Sequence, residues 1–248
     1  MIGSNIYFAS DFHLGSAVDV DHTREKKVVA WLDSISRDAS EIYLVGDVFD
    51  FWFEYKHVVP KGFVRLLGKL AQLSDSGVKI HIFTGNHDVW MFKYFEREIG
   101  ATMYYEPIQR VIGGKRFLIG HGDGLGPGDH GYKIIKAVFT NKLCQRMFAA
   151  LHPAFGFSLA RFFSRKSRET TGAKDSIYLG DNKEYLVQYC ESVLKDEYFD
   201  YFIFGHRHMV LDKVLTKGSR YINLGEWFTS CNYAKFDGQE LSLHRFEN

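Results

Sequence analysis

The sequence predicts an α/β fold, a sandwich of two mixed β-sheets with helices on its outer faces. The first half of the chain alternates short apolar runs with amphipathic stripes, the pattern of strands covered by helices. The second half instead pairs strand-like runs across tight turns, which a purely parallel sheet does not do. A third observation concerns chemistry: five of the apolar runs are followed within a few residues by side chains able to ligate a metal.

The elements follow in order. Residues 6–9 form the first apolar run. Residues 23–37 read as a helix, with Val28, Val29, Trp31, Leu32 and Ile35 as its apolar stripe. The run at 42–45 is a second strand. A helix over 61–76 puts Phe63, Leu66, Leu67, Leu70 and Leu73 on one face, and Gly77 stops it before a strand at 78–83. A short helix over 89–99 ends at Gly100. Across 104–119 two strand-like runs flank Gly113-Gly114, a hairpin turn. Residues 202–204 are apolar, and strands near 210–215, 219–224, 232–236 and 240–246 are joined by turns at Lys217-Gly218 and Asp237-Gly238.

The 248 residues fit one large domain or two small ones, and 46% hydrophobic content supplies a sizeable core. A net charge of +1 gives no global field of the kind that marks a nucleic-acid binder. Cys144, Cys190 and Cys231 are scattered, with neither metal spacing nor a disulfide framework, which suits a reducing compartment. No signal-peptide pattern opens the chain, and no run reaches the ~18–20 apolar residues that span a bilayer. The expectation is a cytoplasmic protein, with a membrane-surface position left open.

Residues 130–180 differ from their surroundings and read as a helical insertion broken at Pro153 and Gly156. From His130 to Arg168 there is no Asp or Glu, while eight Lys or Arg and seven aromatics occur. This composition has three readings. It is a solvated helical face over ordinary core phenylalanines, a cover for an acidic headgroup and acyl chains at an anionic membrane, or a nucleic-acid surface. The chain's overall neutrality argues against the last.

The metal-capable residues are Asp11 and His13, Asp47, Asn86 and His87, His121, and His206 and His208. Pairs two apart in an extended segment share a face, and Gly46 lets backbone approach Asp47 closely. Taken singly, an Asp after a strand is ordinarily a helix cap or turn residue, and a lone His an ordinary partly buried residue, as at His22, His57, His81, His130, His152 and His244. Five strand ends carrying such ligands in one chain favour a dinuclear site instead, with Asp50 and Asp88 orienting the ligands. Mixed Asp, Asn and His donors suit Mn²⁺, Zn²⁺ or Fe better than Ca²⁺.

Asp11-x-His13, Gly46-Asp47-x-x-Asp50, Gly85-Asn86-His87-Asp88, Gly120-His121-Gly122 and Gly205-His206-x-His208 resemble the five motifs of the calcineurin-like metallophosphoesterases. The resemblance spans nearly the whole chain. It implies a four-layer α/β/β/α sandwich forming a single domain over 1–248, with a helical insertion at about 130–180. It also implies a bridging Asp47. One ion would take Asp11, His13, Asp47 and His208, and the other Asp47, Asn86, His121 and His206. His87 matches the position that contacts the phosphate or protonates the leaving group, so the catalytic pair is His87 and Asp47.

A narrower resemblance rests on His121-Gly122-Asp123, Asp129-x-x-Tyr132, the stretch from Arg165 to Glu169, Lys174 and Gly225-Glu226-Trp227. These are similar to the UDP-2,3-diacylglucosamine pyrophosphatases of lipid A synthesis, although the best-known members carry Arg where this chain has His87. The resemblance implies a hydrolase that forms UMP and 2,3-diacylglucosamine 1-phosphate by a dinuclear metal-activated hydroxide, usually with Mn²⁺. Asn86, Asp129, Ser167, Arg168, Lys174 and His206 would contact a nucleotide-linked glycolipid. The insertion would cap the acyl chains at the cytoplasmic face of the inner membrane, with no nucleic-acid partner. Two other readings stay open: a related metallophosphodiesterase with another nucleotide, nucleic-acid or lipid pyrophosphate substrate, and a non-catalytic scaffold.

Overall fold

The computed structural model describes residues 4–16, 22–127, 130–175 and 177–247, with backbone alone at 130, 131, 165 and 167–175. Its elements run β1 (Asn5–Ala9), α1 (Thr23–Ile35), β2 (Ala39–Val45), α2 (Val64–Asp75), β3 (Lys79–Phe83), α3 (Tyr94–Ile99), β4 (Thr102–Tyr104), β5 (Ile108–Ile112) and β6 (Lys115–Ile119). Three consecutive helices follow: α4 (His130–Thr140), α5 (Lys142–Ala149) and α6 (Pro153–Asp175). The chain then returns through α7 (Tyr185–Asp196), β7 (Tyr201–Phe204), β8 (Val210–Val214), β9 (Arg220–Leu224), β10 (Asn232–Phe236) and β11 (Leu241–Arg245).

Two mixed sheets result, in the orders β11-β10-β1-β2-β3-β4 and β5-β6-β7-β9-β8. Alternation along the strands sorts their side chains into layers. Tyr7 and Ala9 of β1 face α1 and α2, packing with Val28, Trp31, Leu66 and Leu70. Ile6 and Phe8 face the second sheet, packing with Phe117, Ile119, Ile203 and Ile222. On the far side Phe202 and Phe204 pack with Leu186, Val187, Cys190 and Leu194 of α7. Three apolar layers therefore separate helices, sheet, sheet and helix, the expected α/β/β/α order.

β1, β2 and β3 run parallel in one sheet, and β6, β7 and β9 run parallel in the other. Their carboxyl ends are where the loops carrying the candidate ligands begin, and open α/β sheets bind ligands at such ends. The ladder continues into those loops: the Asp11 amide donates to the Gly46 carbonyl at 3.1 Å and the His13 amide to the Asp47 carbonyl at 2.9 Å.

Three differences from the sequence reading have local causes. Pro153 does open a helix, where its missing N–H costs nothing, but Gly156 does not break it. It lies inside α6 because a side chain there would collide with the Tyr55 hydroxyl and the Phe148 ring. The helix expected over 89–99 starts only at Tyr94, because the chain turns at Val89, with the Met91 amide on the Asp88 carbonyl, and Trp90 bridges to Phe53. Helix α7 was not anticipated, although Leu186, Val187, Cys190 and Leu194 make its buried stripe.

Candidate metal centre

The seven expected donors converge on one place. His13 Nε2 lies 3.2 Å from His208 Nε2, and both rings face Asp11 Oδ1, at 3.7 and 3.5 Å. His13 Nε2 is also 3.6 Å from Asp47 Oδ2. On the other side of Asp47, the same Oδ2 lies 3.4 Å from His121 Nε2. The Asn86 Oδ1 then joins His121 Nε2 at 3.2 Å and His206 Nδ1 at 2.8 Å. Asp47 thus stands between two donor groups, one of Asp11, His13 and His208, the other of Asn86, His121 and His206.

The backbone is bent to bring them there. Asp11, His13, Asp47 and His206 all have φ between 44° and 65°, half of the non-glycine residues with positive φ among those described. Each such conformation costs on the order of 1–3 kcal/mol, tolerated where the surroundings over-determine it. Here the loops lock one another. The His206 amide donates to Asp11 Oδ2 at 3.0 Å, the His87 amide to Asp47 Oδ1 at 2.8 Å, and the Gly205 amide to the His121 carbonyl at 3.0 Å. Glycine supplies the remaining room: a Cβ on Gly46 would lie 2.5 Å from His121 Nδ1, and one on Gly205 would lie 2.5 Å from Asp11 Oδ2.

Asp11, His13, Asp47 and His121 are buried, while Asn86, His87, His206 and His208 are partly exposed and form the open side. Burial raises the Asp11 and Asp47 carboxyls, but the imidazoles beside them outweigh it and hold both well below the usual carboxylate range. Burial lowers His13 and, with His121 nearby, pushes His206 down to about 4. His121 goes the other way: burial opposes its charge, yet Asp47 and Asp11 lift it to about 10. Two buried carboxylates held in their ionised form are charges that call for a positive partner. Buried Asp11 Oδ1 and His13 Nδ1 carry no hydrogen bond among the described residues. Three triads drawn from these residues and His87 have donor atoms within 4.8 Å of one another. The residues fit a pair of divalent cations with N/O donors.

Asp50 and Asp88 divide the supporting work. Asp50 Oδ1 faces His13 Nδ1 at 3.9 Å and His87 Nδ1 at 3.8 Å, as expected of a residue that orients rings. Among the described residues Asp88 bonds to backbone amides and not to a ring. It accepts from the Gly85 and Phe49 amides at 2.7 and 3.2 Å, tying two ligand loops together, and burial with the nearby Asp47 raises it to about 7.

Of the expected substrate contacts, Asn86 and His206 lie in the cluster. Asp129 is outside the described residues, and Ser167, Arg168 and Lys174 lie on α6 where only the backbone is described. Residues the sequence reading passed over also reach the site. Arg24 donates to the Phe12 and His13 carbonyls at 3.2 and 2.9 Å and lies 4.0 Å over the Phe228 ring, which stacks on His13. Buried Arg207, between two donor histidines, pairs with Glu184 at 3.2 Å. Neither had a signal, since each acts through a partner distant in sequence.

A calcineurin-like phosphoesterase family model matches residues 4–210. A UDP-2,3-diacylglucosamine hydrolase of Porphyromonas gingivalis is 40% identical, the match covering 99% of this chain and 98% of the relative. A UDP-2,3-diacylglucosamine hydrolase of Ectopseudomonas mendocina is 30% identical, covering 98% of each chain. One named for the same activity in Escherichia coli is 27% identical over 85% of this chain and 87% of its own length.

Proposed function

The chain belongs to the calcineurin-like phosphoesterase family, and from that premise we propose that it hydrolyses UDP-2,3-diacylglucosamine to UMP and 2,3-diacylglucosamine 1-phosphate. The observation that carries the hydrolytic half is Asp47 between two groups of nitrogen and oxygen donors. The activity for which relatives matched over 98% of their own length are named supports the substrate.

In this reading Asp11, His13, Asp47 and His208 hold one cation, and Asp47, Asn86, His121 and His206 the other, with Mn²⁺ the preferred ion and Zn²⁺ or Fe its competitors. Bound cations supply an activated water and neutralise charge on the phosphoryl oxygens. Asp47 keeps both sites together, since a carboxylate tolerates two positive neighbours. His87, its Nδ1 3.2 Å from the Asp50 carbonyl oxygen, hydrogen-bonds the phosphate or gives the departing oxygen its proton. Water adds to phosphorus and one bond to the bridging oxygen of the pyrophosphate breaks.

The chain acts as one catalytic domain, and the segment at about 130–180 is its cap. Ile134, Leu143, Met147, Phe155, Phe162 and Phe163 are each more than half exposed on α4–α6, among basic residues and within a stretch, His130 to Arg168, that has no Asp or Glu. Such a surface suits acyl chains and an anionic bilayer, and Asp129, Ser167, Arg168 and Lys174 would bind the polar part of the substrate. Among the described residues no helix is long and apolar enough to cross a membrane. In this reading the cap rests on the membrane surface, and the protein works peripherally at the cytoplasmic face of the inner membrane.

The test is release of UMP from UDP-2,3-diacylglucosamine by protein loaded with Mn²⁺, beside cleavage of bis-p-nitrophenyl phosphate and cyclic nucleotides. UMP release that stops on chelation supports the reading. Cleavage of the small diesters alone replaces it with a phosphodiesterase of other specificity.

A further inference from the structure

Ser164 is buried on α6, although its neighbours Phe162 and Phe163 are exposed. Its hydroxyl donates to Asp50 Oδ2 at 3.0 Å and lies 3.5 Å from His87 Nδ1. The other Asp50 oxygen faces the His87 and His13 rings. The His87 Nδ1 is itself 3.2 Å from the Asp50 carbonyl oxygen, so Asp50 meets that ring with its backbone oxygen and faces it with its carboxylate at 3.8 Å.

The surroundings make this contact a joint between two parts of the molecule. Directly after Asp50, the Phe51 ring packs on Phe157 of α6 at 5.3 Å, and Phe53 packs on Phe148 of α5 at 4.8 Å. Three residues after His87, Trp90 packs on Phe148 at 4.6 Å and donates from Nε1 to the Phe139 carbonyl at 2.8 Å. The three-helix segment is thus seated on the two loops that bear Asp50 and His87. Ser164 is where it touches their polar ends.

We propose that Ser164 is a positioning residue for the hydrolysis. It holds the Asp50 carboxylate and through it the His87 ring, so that seating of the cap helix and alignment of His87 are one event. The proposal rests on the phosphoester-hydrolase reading but not on the identity of the lipid. An imidazole held by two groups loses little freedom on reaching the reactive geometry, and removing an outer partner of this kind typically costs 10–100-fold in activity.

The experiment is a double-mutant cycle of Ser164→Ala and His87→Ala, with Ser164→Thr as the conservative variant, on Mn²⁺-loaded proteins of equal metal content. Rates are read on bis-p-nitrophenyl phosphate and on UDP-2,3-diacylglucosamine. Ser164→Ala lowers kcat about tenfold on every substrate the wild type cleaves, with KM within about twofold, and Ser164→Thr restores most of the loss. In the His87→Ala background the same change costs less than about twofold, because coupled residues are not additive. Equal metal content separates this from an effect through His13. Additive losses, an unchanged kcat, or a rise in KM confined to the glycolipid overturn the proposal.

Crystal structures of the wild type and Ser164→Ala pose the question without turnover. A rotated His87 ring is expected, and an unmoved Asp50 and His87 overturn the proposal. If the wild type cleaves only the small diester and the cycle is still non-additive, the substrate reading falls and the role of Ser164 stands.

Discussion

Gly85 approaches Asp47 so closely that a methyl group on it would lie 2.6 Å from the Asp47 amide nitrogen and 2.7 Å from its carboxyl carbon. The φ of Gly85 is not in the left-handed region, so space rather than conformation selects glycine here. Backbone atoms cannot give way as a flexible side chain would. Gly85→Ala should therefore displace Asp47 and lower hydrolysis by about 100-fold, the cost of an ångström-scale misplacement. Metal content by elemental analysis and kcat on a small diester check this. Full metal loading with normal turnover would show that the loop has slack.

Asp47 is shared by both donor groups, so its loss differs in kind from the loss of an end ligand. Asp47→Ala should empty both positions, whereas His208→Ala should weaken chiefly the one shared with Asp11 and His13. Activity should fall by more than the ~10–100-fold seen for outer partners of metal ligands. Metal-to-protein ratios of the two variants decide the matter, and equal ratios would contradict a bridging role.

Glu41 offers a pH test far from the centre. It accepts from Tyr43 at 2.8 Å, faces His81 at 3.3 Å and pairs with Arg110 at 3.3 Å, joining the two sheets. His81 first, and then Tyr43 and Arg110, outweigh burial and hold its carboxyl down at about 2. A depressed carboxyl stabilises the fold fully above its unfolded value and loses that contribution as pH falls through the folded one. Glu41→Gln should cost on the order of 2–3 kcal/mol near neutral pH. The gap to wild type should narrow as pH falls below the ordinary Glu range toward 2. Urea unfolding at pH 7 and pH 3 measures it, and a gap that stays constant would count against the Glu41 network.

Gly156 reports on the seating of the three-helix segment. Its position in α6 faces the Phe148 ring, 3.2 Å from where a Cβ would sit. Gly156→Leu should overpack this contact by roughly 1–3 kcal/mol and lower Tm by a few degrees. Its effect should reach both substrates, because displacing α6 also moves Ser164 off Asp50, and should be larger on glycolipid than on small diester. Equal losses on both substrates would mean that the helices do not contribute to lipid binding.

The sequence alone determined the two-sheet sandwich, the order of the donor-bearing loops and the seven donors, Asp47 among them, that converge on one place. These were legible because each signal is local: an apolar strand, a permissive glycine, then a polar side chain. The partnerships were decided only by tertiary structure. Ser164 reaches Asp50 across 114 positions, Arg24 reaches His13 through folded loops, and Arg207 finds Glu184 on another element. Gly156 looked like a helix breaker because its sequence records flexibility and not the rings that crowd it. Periodicity reports which face of an element is apolar. Only the packed chain decides which polar group, distant along it, comes within hydrogen-bonding reach.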